Sequence, residues 1–324
     1  MIITQTSLRL SLLGGNTDFR DYFFNYGGLC LSTTIDKYIY CIVKKRFDNL
    51  IYINYSIKEI VEKVDDIKHD LVRESLRLVG ITGGIEITFL SDIPTQGSGL
   101  GSSSSVTVGL LNALHAYLGA IVGSDVLARE AIKIELDILK KPIGIQDQYA
   151  VAMGGLRVYE FDQLGMVTGN KIVMEESAKE DFNNSLGLFY TGITRKSDDV
   201  LSAFNVKDNK SLLDQNKQFA SDGAFALLRG NLREFGELLN AYWEVKKQLN
   251  GKVSNSKIDS MYSKAKKAGA IGGKVVGAGG GGFLLVMFPA NKRAKIREAL
   301  KDYKELPFRF SESGSKIVFN MGKP

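Results

Sequence analysis

Histidine and cysteine are scarce in this chain of 324 residues, which has two of each: His69, His115, Cys30 and Cys41. The cysteines have no histidine near them, whereas a structural zinc site usually takes four Cys or His ligands at short spacings. Two cysteines are also too few for a disulfide scaffold in a chain of this size. Neither histidine stands beside a Gly-x-Ser-x-Gly nucleophile motif, so a histidine-dependent hydrolase is not indicated. Carboxylates, arginines and backbone amides are therefore the groups left for catalysis.

Long apolar runs and a strong excess of one charge are lacking as well. No run reaches the roughly 18 apolar residues of a membrane span, and two cysteines without a secretory leader suggest the cytoplasm. The 42 Lys and Arg against 36 Asp and Glu give a net charge of +6, but the basic residues are scattered. Such a balance suits a solvated surface or an anionic small molecule, and it lacks the basic clusters with stacking aromatics of a nucleic-acid binder. We expect neither a membrane nor a nucleic-acid partner.

The order of predicted elements indicates an α+β protein. Alternating apolar residues predict strands in the first part of the chain, including Ser7 to Leu13, and a helical pattern follows from Val106 to Leu118. A weakly patterned stretch from Met166 to Asn184 marks a boundary, beyond which helices and strands resume. We predict two domains, at residues 1–175 and 176–324, which agrees with about 150 residues per domain.

A glycine- and serine-rich loop, Pro94 to Ser105, leads directly into the helix predicted from Val106. Glycines let a ligand approach the backbone, and the start of a helix presents unpaired N–H groups and a positive dipole end to an anion. The spacing matches neither the P-loop nor the dinucleotide fingerprint. The loop predicts phosphate binding of another kind, and the alternative is a flexible linker with a helix cap. The candidate ligand-contacting residues are Gly97, Ser98, Gly99, Leu100, Gly101, Ser102, Ser103 and Ser104.

Two carboxylates follow this loop. Glu135 falls on the apolar stripe of a helical segment from Ser124 to Leu139, for which Ser124 is the candidate N-cap. Because a buried carboxylate needs a cation or a partner, Glu135 is either a magnesium ligand or half of a salt bridge to an arginine. Asp147 follows a Pro/Gly turn and either caps a helix or acts as a general base. The residue pattern leaves both pairs of alternatives open.

A second glycine loop, Gly277 to Gly282, precedes the apolar run Phe283 to Phe288. Consecutive glycines lose much backbone entropy on folding. We therefore expect a close approach there by a ligand or by a neighbouring segment, with a tight packing corner as the alternative.

Three motifs, taken in this order, resemble those of the galactokinase, homoserine kinase, mevalonate kinase and phosphomevalonate kinase (GHMP) superfamily. They are Leu8 to Asp18, Pro94 to Ser105 and Lys274 to Phe283. Within the superfamily, Gly14 to Phe19 and Ile143 to Tyr149 are similar to segments of the bacterial D-glycero-D-manno-heptose 7-phosphate kinases. The resemblance implies a GHMP kinase fold, with an N-terminal domain like domain 2 of ribosomal protein S5 and a ferredoxin-like C-terminal domain.

The same resemblance implies roles for single residues. Ser103 and Glu135 would hold Mg²⁺, and the loop glycines would wrap the phosphates of ATP. Asp147 would be the general base, with Arg9 beside it and beside the transferring phosphoryl group. The residues implied to contact or border the substrate are Asp18, Thr17, Gly279 and Gly280. For the phosphate of the sugar we nominate Arg195 and Lys196, on charge and position alone.

The reaction expected from the resemblance is phosphorylation of the anomeric (C1) hydroxyl of heptose 7-phosphate to the 1,7-bisphosphate, in nucleotide-activated heptose biosynthesis for surface polysaccharide. Galactokinases carry Gly-Glu-His-Thr-Asp where this chain has Gly14 to Asp18, which disfavours galactose. Asn16 and Arg20 also depart from the usual heptose-kinase pattern, and Arg20 is either an extra phosphate ligand or a surface residue. The alternatives are a kinase for another sugar such as fucose and a non-catalytic sugar and ATP sensor; a homodimer also stays open.

Overall fold

Two β-sheets form the framework of the protein, and a computed structural model describes residues 1–94, 97–195, 198–201 and 204–321. The strands of these residues are, in chain order, β1 (Ile2–Leu13), β2 (Gly28–Lys45), β3 (Ile51–Asn54), β4 (Lys58–Val61), β5 (Ile85–Ser91), β6 (Arg157–Phe161), β7 (Val167–Lys171), β8 (Leu186–Tyr190), β9 (Gly272–Val275), β10 (Phe283–Met287), β11 (Glu305–Leu306), β12 (Phe310–Ser311) and β13 (Ser315–Asn320).

Helices connect and cover the strands. They are α1 (Arg20–Tyr26), α2 (Asp70–Val79), α3 (Ser102–Tyr117), α4 (Ser124–Ile132), α5 (Gln146–Met153), α6 (Glu176–Asn184), α7 (Asp198–Leu201), α8 (Lys210–Leu228), α9 (Leu232–Leu249), α10 (Ser256–Lys267) and α11 (Arg293–Ala299). A π-helical turn at Lys133–Ile138 continues α4, and 3₁₀ turns occupy Val64–Asp66 and Ala290–Lys292. Asn231 and Asn255 begin α9 and α10 as N-caps, because each side chain accepts a backbone N–H from the first turn.

The first sheet has the strand order β13-β1-β2-β5-β3-β4, with β6 and β12 paired to β2 and β7 paired to β6. Only β3 and β5 run parallel among its described pairs, and the second sheet, β11-β8-β10-β9, is antiparallel. The predicted boundary at 175/176 lies between β7 and α6, but β12 and β13 return to the first sheet. Segment 176–324 therefore contributes strands to both sheets, and the division into two domains stays a prediction.

Strand β1 is buried on both faces, because α3 packs against the first sheet on β1 and β2 and the helices α8 and α9 also contact β1. Leu8, Leu10 and Leu12 are fully buried, and the alternating Arg9 and Ser11 are almost completely buried too. Irregularities in the β1–β2 register lie on either side of this segment, which is where bulges commonly re-aim side chains near active sites. The sheet thus holds an arginine inside the molecule.

The structure corrects three of the expectations drawn from the sequence. The helix after the first glycine loop begins at Ser102 rather than Val106, so the serines occupy its first turn. The N-cap of α4 is Gly123, so the prediction of Ser124 is wrong. The weakly patterned stretch from Met166 to Asn184, expected to mark a boundary, contains β7 and α6, because its exposed polar residues hide the short periodic segments.

Candidate active site

A cavity of about 510 Å³ opens where the first glycine loop, β1 and the second glycine loop meet. Many of the residues singled out from the sequence line it. Its lining includes Arg9, Asp18, Gly97, Ser98, Gly99, Gly101, Ser102, Ser103, Asp147, Gly277 and Ala278, together with Asn16, Asp70, Lys141, Gln146 and Lys246. The cavity is therefore the candidate active site.

The glycines of the first loop are required by close neighbours and by backbone conformation. A Cβ on Gly99 would lie 2.6 Å from the carbonyl oxygen of Val276, and one on Gly101 would lie 2.8 Å from Cγ of Arg9. Both glycines have φ near +75°, a region that side chains other than glycine rarely adopt. The loop therefore brings bare backbone next to Arg9 and to the second glycine loop.

The start of α3 faces the same cavity. Its N-cap is Gly101, and no side chain caps the first turn, so the first N–H groups remain for an anion. The hydroxyls of Ser98 and Ser102 lie 3.0 Å apart at this end. Leu100 and Ser104 are buried and do not line the cavity. The geometry suits phosphate binding by the other candidate residues of the loop.

Arg9 and Asp147 form a two-bonded ion pair at the edge of the cavity. Nε of Arg9 donates to Oδ1 of Asp147 at 2.7 Å, and Nη2 donates to Oδ2 at 2.6 Å. Nη1 donates to the carbonyl oxygen of Gly99 at 2.6 Å, and the backbone N–H of Arg9 donates to Leu100. Arg9 is buried, whereas the Asp147 side chain is 28% exposed. The N-cap of α5 is Ile145, so Asp147 is not a helix cap.

Asp18 lies beneath the start of α5. Its Oδ2 accepts the backbone N–H of Gln146 at 3.0 Å. Burial, and to a smaller extent the nearby Asp147 carboxylate, raises the pKa of Asp18 to about 6. A side chain on Gly144 would overlap the Asp18 carboxylate, so a glycine is needed beside it. Asp18 is thus a cavity carboxyl that changes charge near neutral pH.

Thr17 and Asn16, which precede Asp18, differ in whether they line the cavity. Thr17 does not line the cavity: its hydroxyl is buried and donates to the carbonyl oxygen of Gly14 at 2.8 Å, which stabilises the turn. Asn16 does line the cavity, with φ of 73°. Asparagine tolerates this left-handed conformation better than most residues. The departure at Asn16 from the heptose-kinase pattern is therefore compatible with the same turn.

Glu135 lies in the π-helical turn that continues α4, next to Ser103 in the first turn of α3. The hydroxyl of Ser103 donates to Oε2 of Glu135 at 3.2 Å. Oε1 of Glu135 is buried and has no hydrogen-bond partner within the described chain, and no arginine there forms a salt bridge with Glu135. Burial raises the pKa of the Glu135 carboxyl, and Lys141 opposes that rise. π-Helical turns are frequent at functional sites, and this one leaves a carboxylate oxygen without a partner.

The second glycine loop packs on the first. A Cβ on Gly277 would lie 2.7 Å from the carbonyl oxygen of Gly99, and one on Gly282 would lie 2.5 Å from that of Ser98. Gly279 approaches Val253 in the same way. The close approach expected at these glycines is thus made by neighbouring backbone, which supports the shape of the phosphate loop.

The residues nominated for the sugar phosphate are only partly described. Arg195 is half-buried and lies between the two glycine loops, where a Cβ on Gly280 would be 2.5 Å from its Nε. Lys196 lies outside the described residues. Arg20 forms an ion pair with Asp137 at the surface, which agrees with the surface interpretation of that residue.

Sequence reasoning missed Lys246, a cavity residue on α9. The signal was present, since Lys246 shares a helical face with Leu239, Tyr242 and Leu249, all of them buried. A lysine on the apolar stripe of a helix indicates a buried charged side chain, just as Glu135 does on its own stripe.

Comparison with known proteins identifies the family. Residues 57–155 match the GHMP kinases N terminal domain and residues 224–306 match GHMP kinases C terminal. A D-glycero-alpha-D-manno-heptose 7-phosphate kinase of Campylobacter jejuni is 33% identical over 97% of this chain and 98% of its own length. The chain belongs to the GHMP kinases. It is a sugar kinase, a phosphotransferase with an alcohol group as acceptor.

Solved structures agree with this assignment. A D-glycero-D-manno-heptose 1-phosphate kinase from Bacteroides thetaiotaomicron has a TM-score of 0.83 and 28% identity, covering 99% of this chain and 100% of that one. A galactokinase of Lactococcus lactis complexed with galactose has a TM-score of 0.76 at 19% identity, covering 98% and 95%, and so shows the fold alone. The α+β class and the GHMP kinase fold predicted from the motifs are confirmed.

None of the helices in the described part of the chain has the length and hydrophobicity needed to span a bilayer. Within the same residues, no cluster of three or more His, Cys, Asp or Glu side chains suits a metal ion.

Proposed function

We propose that the protein transfers the terminal phosphoryl group of ATP to the anomeric hydroxyl of D-glycero-D-manno-heptose 7-phosphate, giving the 1,7-bisphosphate. The observation that carries the proposal is the Arg9–Asp147 ion pair, which faces a cavity beside the phosphate loop. The name of the Campylobacter jejuni relative supports the heptose 7-phosphate substrate. The product would serve nucleotide-activated heptose synthesis for surface polysaccharide, in the cytoplasm.

In this proposal the reaction needs one proton acceptor and one fixed cation. Asp147 accepts the proton of the anomeric hydroxyl while that oxygen forms a bond to the γ-phosphorus. The bond from the γ-phosphorus to the bridging oxygen breaks, and ADP leaves with the electron pair. Arg9 orients Asp147 and stabilises the negative charge on the phosphoryl oxygens. Backbone N–H groups between Gly97 and Ser104 hold the nucleotide phosphates.

The Ser103–Glu135 pair fits Mg²⁺. A hydroxyl and a carboxylate are oxygen ligands of the kind that Mg²⁺ takes together with water and substrate phosphates. The partnerless Oε1 of Glu135 is the observation that supports this assignment. When bound, the ion would neutralise charge on the β and γ phosphates. Glu135 must then be ionised, against the raised pKa that burial gives it.

Substrate positioning is assigned to the remaining cavity residues. Asp18 would accept hydrogen bonds from sugar hydroxyls, and Gly279 and Gly280 would border the sugar. Arg195 lies against Gly280, so it would reach the phosphate of the sugar from this side. Lys196 stays a nomination by charge and position.

The function is tested by a coupled assay of ADP release with ATP, Mg²⁺ and heptose 7-phosphate. We expect turnover by the wild type and a fall of kcat by about 100-fold or more in Asp147→Asn, the range of general base catalysis. The exposed Asp208 supplies the control Asp208→Asn, which should keep wild-type turnover. Near-normal turnover by a folded Asp147→Asn protein would reject the role of Asp147, and no turnover by the wild type would reject the proposed substrate.

A further inference from the structure

Lys246 is a buried amine at the cavity, and it has a single hydrogen-bond partner there. It is 3% exposed, and its Nζ donates to the carbonyl oxygen of Gly277 at 2.5 Å. An ammonium group carries three N–H donors. Within the described chain, Lys246 has no second hydrogen bond and no ion pair. Burying a charged amine without a counter-ion is costly. No partner among the described residues offsets that cost for Lys246.

The charges near Lys246 do not supply that counter-ion. Burial, followed by Arg9 and Arg195, lowers the pKa of Lys246 to about 7, and only Asp147 acts in the opposite direction. Both oxygens of Asp147 already accept from Arg9. Lys274, a further buried lysine nearby, donates to the carbonyl oxygens of Ser11 and Leu12 and offers no negative charge. The surroundings of Lys246 therefore favour the arrival of an anion.

The position of Lys246 indicates which anion it meets. Lys246 lines the main cavity and also a small adjoining pocket, which it shares with Asn16 and Leu201. Gly277, the acceptor of its hydrogen bond, packs directly on Gly99 of the phosphate loop. The amine of Lys246 therefore lies at the cavity where the two glycine loops pack together.

We infer that Lys246 is a phosphate-binding residue of the reaction, which reaches from α9 to a phosphate group held in the cavity. Two phosphates offer the same charged oxygens: the terminal phosphate of the nucleotide and the phosphate carried by the sugar. The inference rests on the proposed function for the second of these, and on the kinase family alone for the first. Hydrogen bonds to charged groups contribute enough that their loss lowers affinity by about tenfold or more.

The test compares Lys246→Met with Lys247→Met by titration calorimetry. Methionine has a similar length without the charge, and Lys247, the next residue of α9, instead bonds Glu244 at 2.9 Å. Four ligands are titrated: ADP and the β,γ-imido analogue of ATP, each with Mg²⁺, and heptose with and without its 7-phosphate. The melting temperature of each variant is measured as well, because removal of an uncompensated buried charge should not lower it.

A Kd raised about tenfold or more in Lys246→Met, for the ATP analogue but not for ADP, supports the inference and assigns the terminal phosphate. The same rise for heptose 7-phosphate, but not for heptose, supports it and assigns the sugar phosphate. Unchanged Kd values for both phosphate ligands overturn it, and a lowered melting temperature in that case shows a purely structural lysine. If the wild type binds the ATP analogue but not heptose 7-phosphate, the proposed substrate fails and the nucleotide titration alone decides the role of Lys246.

Discussion

At the scale of the residue, buried polar side chains form the candidate site. The sequence does not show which of these side chains pair with one another. Arg9 and Asp147 are 138 residues apart and yet form a two-bonded ion pair. The motifs predicted both residues, but residue spacing gives no distance between segments, so the choice between cap and base for Asp147 stayed open. Lys246 was missed because it lies in no motif and only its buried helical face marks it.

Asp18 provides a test of electrostatics at this scale. The pKa of Asp18 rises from 3.8 to about 6 on folding, so folding favours the protonated carboxyl and ionisation above pH 6 opposes folding. Asp18→Asn keeps an acceptor for the N–H of Gln146 and removes the charge. We expect it to raise the free energy of unfolding at pH 8 by about 3 kcal/mol.

The pH dependence separates this effect from a change in packing. The gain in Asp18→Asn should grow between about pH 4 and pH 6 and stay constant above that range, because the wild-type penalty is complete once both states are ionised. Urea unfolding across this range measures it. A gain that does not depend on pH, or a loss of stability at pH 8, would contradict the raised pKa.

At the scale of the element, short local signals predicted which elements line the cavity but not where those elements begin and end. The glycine and serine loop predicted an anion site at a helix start, but the helix includes the serines, since Ser102 begins it. The stripe around Glu135 predicted a helix, and the π-helical turn at Lys133–Ile138 was not visible in it. The π-turn spans only six residues, too few for its changed period to show in the apolar pattern.

The first glycine loop gives a prediction at this scale. Gly101→Ala should lower kcat by about tenfold or more, because a Cβ there would lie 2.8 Å from Cγ of Arg9 and displace the ion pair. Gly80→Ala is the matched control, since Gly80 has almost the same φ, 76°, and nothing within 4 Å of the added Cβ. Steady-state kinetics of both variants measures the difference. Equal effects of the two substitutions would show that backbone strain, rather than contact with Arg9, is responsible.

At the scale of the whole molecule, the cavity depends on segments distant in sequence. β1 contributes Arg9, the second glycine loop supports the first, and β12 and β13 return to pair with β2 and β1. The order of strands and helices predicted the α+β class, which is confirmed. The return of the last strands was not predicted, because long-range pairing leaves little trace in a short local pattern.

Two relatives of this chain differ in the position of the phosphate on the heptose that their names print. One is a heptose 7-phosphate kinase and the other a heptose 1-phosphate kinase. Phosphorus NMR of the product formed from ATP and heptose 7-phosphate shows which hydroxyl of the sugar is phosphorylated. We predict that the 7-phosphate signal is retained and that a new signal coupled to the anomeric proton appears in step with ADP. A phosphate on another carbon, or transfer to unphosphorylated heptose or fucose while heptose 7-phosphate stays unreacted, would contradict the proposed function.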